Sequence, residues 1–341
     1  MGDYLKALSY HEKTLELDLK TLGPDHPDVA TTYNNLGSVY YQMGDYSKAL
    51  SYYEKTLELQ LKTLGPNHPS VATIYINLGL IYKNMGDYSK ALSYFEKTLA
   101  LQLKTLGPNH PSVATTYINL GSVYYQMDDY SKALNYYEKT LALDLKTLGP
   151  NHPSVATTYN NLGNVYSKMG DYSKALSYYE KTLELDMKTL GPNHPSVATT
   201  YNNLGNVYSN MGDYSKALSC YEKTLELELK TLGPNHPSVA TTYNNLGNVY
   251  SNMGDYSKAL SYYEKTLELD MKTLGPNHPS VATTYNNLGN VYSNMGDYSK
   301  ALSCYQKALE VMRKSLPATH ASINVCERAV ADMSKKLMRL S

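Results

Sequence analysis

Tryptophan is absent from this chain of 341 residues, phenylalanine occurs once, as Phe95, and cysteine three times, at Cys220, Cys304 and Cys326. So few thiols cannot form a disulfide framework. Cys220 and Cys304 hold the same place in a repeated pattern, two repeats apart, too far to bridge. All three read as ordinary thiols in a reducing compartment. The lack of any Asn-x-Ser/Thr sequon agrees with a cytoplasmic location. No apolar run approaches the ~18 residues of a membrane helix. Met1-Gly2-Asp3-Tyr4-Leu5-Lys6 reads as neither a signal peptide nor a myristoylation site. Lys and Arg number 31, as do Asp and Glu, so no global field draws nucleic acid or an anionic membrane. Phosphate-cradling Gly loops, nucleophile elbows and clustered carboxylates are missing too. The expectation is a protein that is not an enzyme and uses no cofactor or metal.

What is present is repetition. Gly-Asp-Tyr at Gly2 returns every 42 residues, at Gly44, Gly86, Gly170, Gly212, Gly254 and Gly296, with Asp128 in place of Gly once. Residues 170–211 and 254–295 are identical, and 212–253 differs from them at three positions. A strict period of this length implies stacked supersecondary units, and a recognition surface rather than a single active site.

Residues 29–70 serve as the model unit. Val29, Tyr33, Leu36, Val39, Tyr40 and Met43 recur at steps of three and four, one face of a helix, here called A. Gly44 suits a left-handed helix stop and Asp45 an N-cap. A second stripe, helix B, runs through Tyr46, Ala49, Leu50, Tyr53, Leu57, Leu61 and Leu64 until Gly65-Pro66 stops it. Pro69 falls in the first turn of the next helix A. Gly37 and Ala49 let the two helices approach closely. Histidine recurs once per unit, from His26 and His68 to His278 and His320. Neighbouring units ~10 Å apart cannot share a zinc ion, so loop packing is the expected role. Asp128 is expected at positive φ, at a cost of ~1 kcal/mol.

Tyr33-x-x-Leu36-Gly37-x-x-Tyr40, then Gly44-Asp45-Tyr46, Ala49, Tyr53 and Leu57, resembles the tetratricopeptide repeat, with a longer helix B. Together with Leu-Gly-Pro-Asn-His-Pro-Ser-Val-Ala and Asn-Asn-Leu, the unit resembles the 42-residue repeat of kinesin light chains. The resemblance implies an all-α, right-handed α-solenoid of stacked antiparallel helix pairs, with helix A inside and helix B outside. The expected layout is a solenoid over 1–316, opening mid-repeat with a helix B, and an amphipathic capping helix over 317–341. Arg328, Lys335, Lys336 and Arg339 leave a basic docking tail as the alternative for that last segment.

On helix A the only charges are Lys83 and Lys168, while helix B carries most of the rest. Helix A instead carries an asparagine ladder: Asn35, Asn77, Asn119, Asn161, Asn203, Asn245 and Asn287. The resemblance implies ligand contact at this position. Asn34, Asn160, Asn202, Asn244 and Asn286 precede it, with Ile76 and Ile118 in two units, and Asn164, Asn206, Asn248 and Asn290 follow. Each amide can pair with both groups of a peptide unit, so a groove for a protein or peptide ligand is expected. The same amides can also bond the next repeat and hold the stack together. Ile76, Leu80, Lys83 and Ile118 form the most individual stretch. The reading from another class is a structural spacer or self-associating rod, joined weakly through the open N-terminal repeat.

Overall fold

Each helix A begins at its proline, because a missing N–H costs nothing in a first turn. The computed structural model describes residues 2–339. Met1 and the Leu340–Ser341 end of the expected capping segment lie outside the described residues. Among those residues the chain forms sixteen α-helices and no strand, a helical-repeat solenoid, in two compact units.

The first unit, Met1–Met169, holds α1 (Gly2–Thr21), α2 (Pro27–Gln42), α3 (Tyr46–Thr63), α4 (Pro69–Asn84), α5 (Tyr88–Thr105), α6 (Pro111–Gln126), α7 (Tyr130–Thr147) and α8 (Pro153–Lys168). The second, Gly170–Ser341, holds α9 (Tyr172–Thr189), α10 (Pro195–Asn210), α11 (Tyr214–Thr231), α12 (Pro237–Asn252), α13 (Tyr256–Thr273), α14 (Pro279–Asn294), α15 (Tyr298–Ser315) and α16 (Ala321–Met338). Even-numbered α2–α14 are A helices and odd-numbered helices are B helices. Within a unit each A helix packs most closely on the B helix that follows it, and each B helix packs on the next A helix.

The turns behave as the sequence predicts. Asp45 accepts a hydrogen bond from the Lys48 N–H, and Gly44 sits at φ 78°. Asp128 is the one positive-φ residue other than glycine among the described residues, at φ 58°. Its Oδ1 accepts a 2.6 Å bond from the Tyr130 hydroxyl, which partly offsets the strain. The histidines do more than pack. His68 is the N-cap of α4, its Nδ1 accepting from the Ser70 N–H at 3.3 Å, and the same cap recurs from His26 to His320.

The core is also wider than the apolar stripes. Thr56 is fully buried in α3 because its hydroxyl donates back to the Tyr52 carbonyl at 2.9 Å. Leu59, outside the helix B stripe, is buried against Val29 and Ala30, while Met43 and Leu64 at helix ends are exposed. Burial of such a leucine contributes about 1.5–3 kcal/mol. Gly37 is required: a Cβ there would meet the Tyr53 ring at 2.9 Å.

The ends differ from the middle. Leu17 of α1 is 59% exposed, whereas its counterpart Leu59 is 6% exposed, covered by Val29 and Ala30 of the helix A before it. At the other end α16 lays Ile323, Cys326 and Met333 into the α15 core, and Arg313 pairs with Glu327 at 2.7 Å.

Candidate functional site

The asparagines of the A helices are held in two ways. At the invariant rung, the Asn245 amide donates to Asn202 Oδ1 at 3.0 Å and the Asn287 amide to Asn244 Oδ1 at 2.9 Å. In the first unit Asn77 reaches Asn34 at 3.5 Å. These rungs therefore bridge successive A helices. The donating asparagines, Asn77, Asn245 and Asn287, are themselves half-buried. Asn35, Asn119, Asn160, Asn161 and Asn203 occupy the same half-buried band of their helices. Ile76 and Ile118 stand where an acceptor would be needed, so Asn119 and Asn161 have no such bridge.

The second row is fixed from the same repeat. The Tyr221 hydroxyl donates to Asn206 Oδ1, Tyr263 to Asn248 Oδ1 and Tyr305 to Asn290 Oδ1, each at 2.7 Å. Burial pushes the Tyr263 phenol up to about 12, so it stays a donor at neutral pH. These bonds engage the oxygen of each asparagine and not its –NH₂, which has two protons to donate. Asn206 and Asn290 are exposed, and Asn164 and Asn248 half-buried. The tyrosines were not legible as site residues. The clue was a constant offset between each tyrosine on helix B and a polar residue on helix A.

The one phenylalanine obeys the same rule. Phe95 lies at that offset from Leu80, the apolar member of the row, and a Cβ on Gly79 would meet its ring at 2.7 Å. Leu80 and Ile76 pack on Phe95, Leu120 and Val123. Lys83 donates to Ser122 Oγ at 3.4 Å, and burial holds its ammonium below the usual lysine range. Ile118 is half-buried on α6.

In the second unit these rows border an open cleft of about 340 Å³. Asn248 and Asn252 of α12 line one side, Asn287, Asn290 and Asn294 of α14 the other, with Ser251 and Tyr263. The lining is almost wholly polar and uncharged. Asn248 and Asn290 are held at the oxygen and Asn287 at the amide, so the lining carries both donor and acceptor capacity, the two kinds of group that pair with an extended backbone. Two half-open hollows border the ladder toward the helix A starts. One, of about 350 Å³, is lined by Ile76, Gln102 and Ser112, and the other, of about 230 Å³, by Asn244, Asp270 and Ser280. Among the described residues no group of three or more His, Cys, Asp or Glu could hold a metal ion, and no helix is long and apolar enough to cross a membrane.

Stacked helix pairs with a polar row along the A helices define a helical-repeat protein of the interaction type. The tetratricopeptide repeat model matches residues 1–62, 33–104, 70–146, 136–188, 154–227, 196–272 and 238–314, and the chain belongs to that family, with kinesin-light-chain-like repeats. The chain is similar to a protein of Podosopora anserina, provisionally called a kinesin light chain with nearly identical TPR-like repeats. Identity is 27% over 60% of this chain and 98% of that one, with a TM-score of 0.52. BtubC (BKLC) from P. vanneervenii shares the fold at 23% identity, over 70% and 94% of the two chains, with a TM-score of 0.56. RapI in its apo form does so at 16% identity, over 84% and 98%, with a TM-score of 0.62. No curated protein matches the chain in sequence. Proteins of this family are typically non-catalytic scaffolds that bind other proteins.

Proposed function

We propose that the chain is a scaffold that holds an extended protein segment along its A helices, by pairing asparagine amides with the segment's backbone. The observation that carries this reading is the α12–α14 cleft, where five of the seven lining residues are asparagine and tyrosine hydroxyls hold the oxygens of Asn248 and Asn290. The neutral lining of this cleft favours backbone-led binding, with uncharged or Asn, Ser and Tyr side chains at the residues of the segment that face it. In the first unit Ile76, Leu80 and Ile118, with Lys83, favour apolar side chains instead. The free thiols at Cys220, Cys304 and Cys326 fit a reducing compartment such as the cytoplasm.

Selection of a random peptide library on the folded chain tests this. Asn248→Ala/Asn290→Ala is expected to lose the enriched peptides while keeping its helical circular dichroism. Enrichment that survives this variant and an Ile76→Asn/Ile118→Asn variant would place binding elsewhere. A second reading, a structural spacer with no dedicated ligand, draws on the identity of residues 170–211 and 254–295. Absence of any enrichment supports it.

A further inference from the structure

Helix B carries charge in one place where a solvated outer face cannot account for it. Asp144 of α7, Asp186 of α9, Glu228 of α11 and Asp270 of α13 occupy one repeat position and are all buried. Asp270 is 4% exposed; its backbone carbonyl accepts from Leu274 and Gly275, but among the described residues its carboxyl has neither a hydrogen-bond donor nor a cation. Asp144 is 2% exposed and its Oδ2 has no partner. Glu228 Oε2 accepts from the Thr242 hydroxyl at 2.7 Å, and it too lacks a cation. Burial raises the carboxyls of all four above the usual range; the nearby His152, His194, His236 and His278, which cap the next A helices, act in the opposite sense. A buried carboxylate without a counter-charge is costly, and relief comes from a cation or a proton.

Asp270 is nonetheless not wholly sealed in protein. It lines the 230 Å³ hollow, together with Thr241, Asn244, Thr266, Ser280 and Thr284. Asn244 is the acceptor of the bridging rung, so this hollow opens beside the asparagine ladder. An ammonium group has three protons and no acceptor, and it needs one negative oxygen and neutral oxygens around it. The hollow holds one carboxyl with hydroxyl and amide oxygens near it, and Pro237, Ala240 and Leu274 give it a largely apolar wall that suits the methylene stem of a lysine. A divalent metal asks for more ligands than one carboxylate provides. The equivalent hollow in the first unit has neutral Gln102 in place of the acid and Ile76 in place of Asn244.

We propose that the acidic position of helix B is the floor of a subsite for a lysine side chain of the bound segment, so that the second unit selects segments with lysine at about every third residue. This rests on the reading that an extended segment lies along the A helices. The spacing follows from helix packing on the order of 10 Å against ~3.3 Å per residue of extended chain.

The test is fluorescence anisotropy on the full chain at physiological salt, with a labelled peptide of Lys-Ser-Ser triplets and the same peptide with every lysine acetylated. Spermidine serves as the competitor that carries ammonium groups without a peptide. Acetylation is expected to weaken binding about tenfold or more. The Asp186→Asn/Glu228→Gln/Asp270→Asn variant is expected to weaken the lysine peptide by a similar factor and to leave the acetylated one unchanged. Circular dichroism and thermal melts confirm that the variant is folded. Equal affinity of both peptides for the native chain overturns the lysine subsite and leaves the asparagine reading standing. Unchanged preference for lysine in the variant overturns the role of these carboxylates. Spermidine binding with no binding of the lysine peptide overturns a peptide as the source. Failure of both peptides to bind overturns the subsite together with the reading it rests on.

Discussion

The stretch from α4 to α6 and the stretch from α12 to α14 have the same backbone plan and opposite chemistry. In the first, Leu80 packs on Phe95, Ile76 takes the place of an asparagine, Gln102 fills the acidic position and Lys83 is half-buried. In the second, Asn248 accepts from Tyr263, Asn287 bridges to Asn244, and Asp270 lines its hollow without a cation. The substitutions come in matched sets. Removing the tyrosine hydroxyl goes with removing its asparagine acceptor, because a buried hydroxyl without a partner costs more than the bond contributes. Ser38 and Ser122 stand over tyrosine as the asparagines do, so in this chain the ring beneath changes only where the row turns apolar.

The largest expected effect breaks one such set. Phe95→Tyr places a hydroxyl against Leu80 and is expected to cost about 1–3 kcal/mol, read as a lower urea midpoint. Adding Leu80→Asn should recover most of the loss, and strict additivity of the two changes would refute the pairing.

Next comes Gln60, whose Oε1 is buried without a partner; Ile74, fully buried, stands where Thr116 donates to Gln102 at 2.7 Å in the next repeat. Gln60→Met is expected to stabilise by about 1 kcal/mol, whereas Gln102→Met breaks a made bond and should not. Equal melting shifts in the two variants would contradict this account.

The acidic position adds a pH test. Burial raises Asp270 in the folded state, so the folded chain binds that proton more tightly than the unfolded chain does. Its contribution to stability therefore grows as pH falls through the raised folded-state value and is lost as pH rises through it. Asp270→Asn should melt higher than the native chain at pH 7 and show a smaller gain as the pH is lowered toward the ordinary aspartate range. A native-like pH profile in that variant counts against the assignment.

The smallest effect is at the odd turn. Asp128→Gly relieves ~1 kcal/mol of left-handed strain but removes the Tyr130 bond, so a melting increase of about a degree or less is expected. A pronounced drop would show that the side chain matters more than the backbone.

Much of the fold was legible in the sequence because its signals are local. Proline at a helix start, aspartate at an N-cap and glycine at positive φ each act within one turn, and the period multiplied them. The histidine caps were missed because histidine is not among the usual cap residues. Thr56 and Leu59 were missed because a back-bonded threonine reads as polar and a wide core exceeds one stripe. For the candidate site, the asparagine rows were visible but their partners were not. Which end of an amide is engaged depends on Tyr263 or Asn244, contacts set by packing across helices. Charge on helix B was read as an outer face, which Glu54 and Lys55 obey and Asp270 does not, since register within the helix decides burial.

The helices α10, α12 and α14 are the same sixteen residues three times over. A segment bound to such copies has no unique address. It can shift by one repeat and find equivalent contacts. That degeneracy adds at most about RT ln 3, or ~0.7 kcal/mol, to its affinity. Its kinetic consequence is larger. A ligand able to step between equivalent positions can travel along the unit without dissociating, so the second unit would act as a track on which position is not fixed.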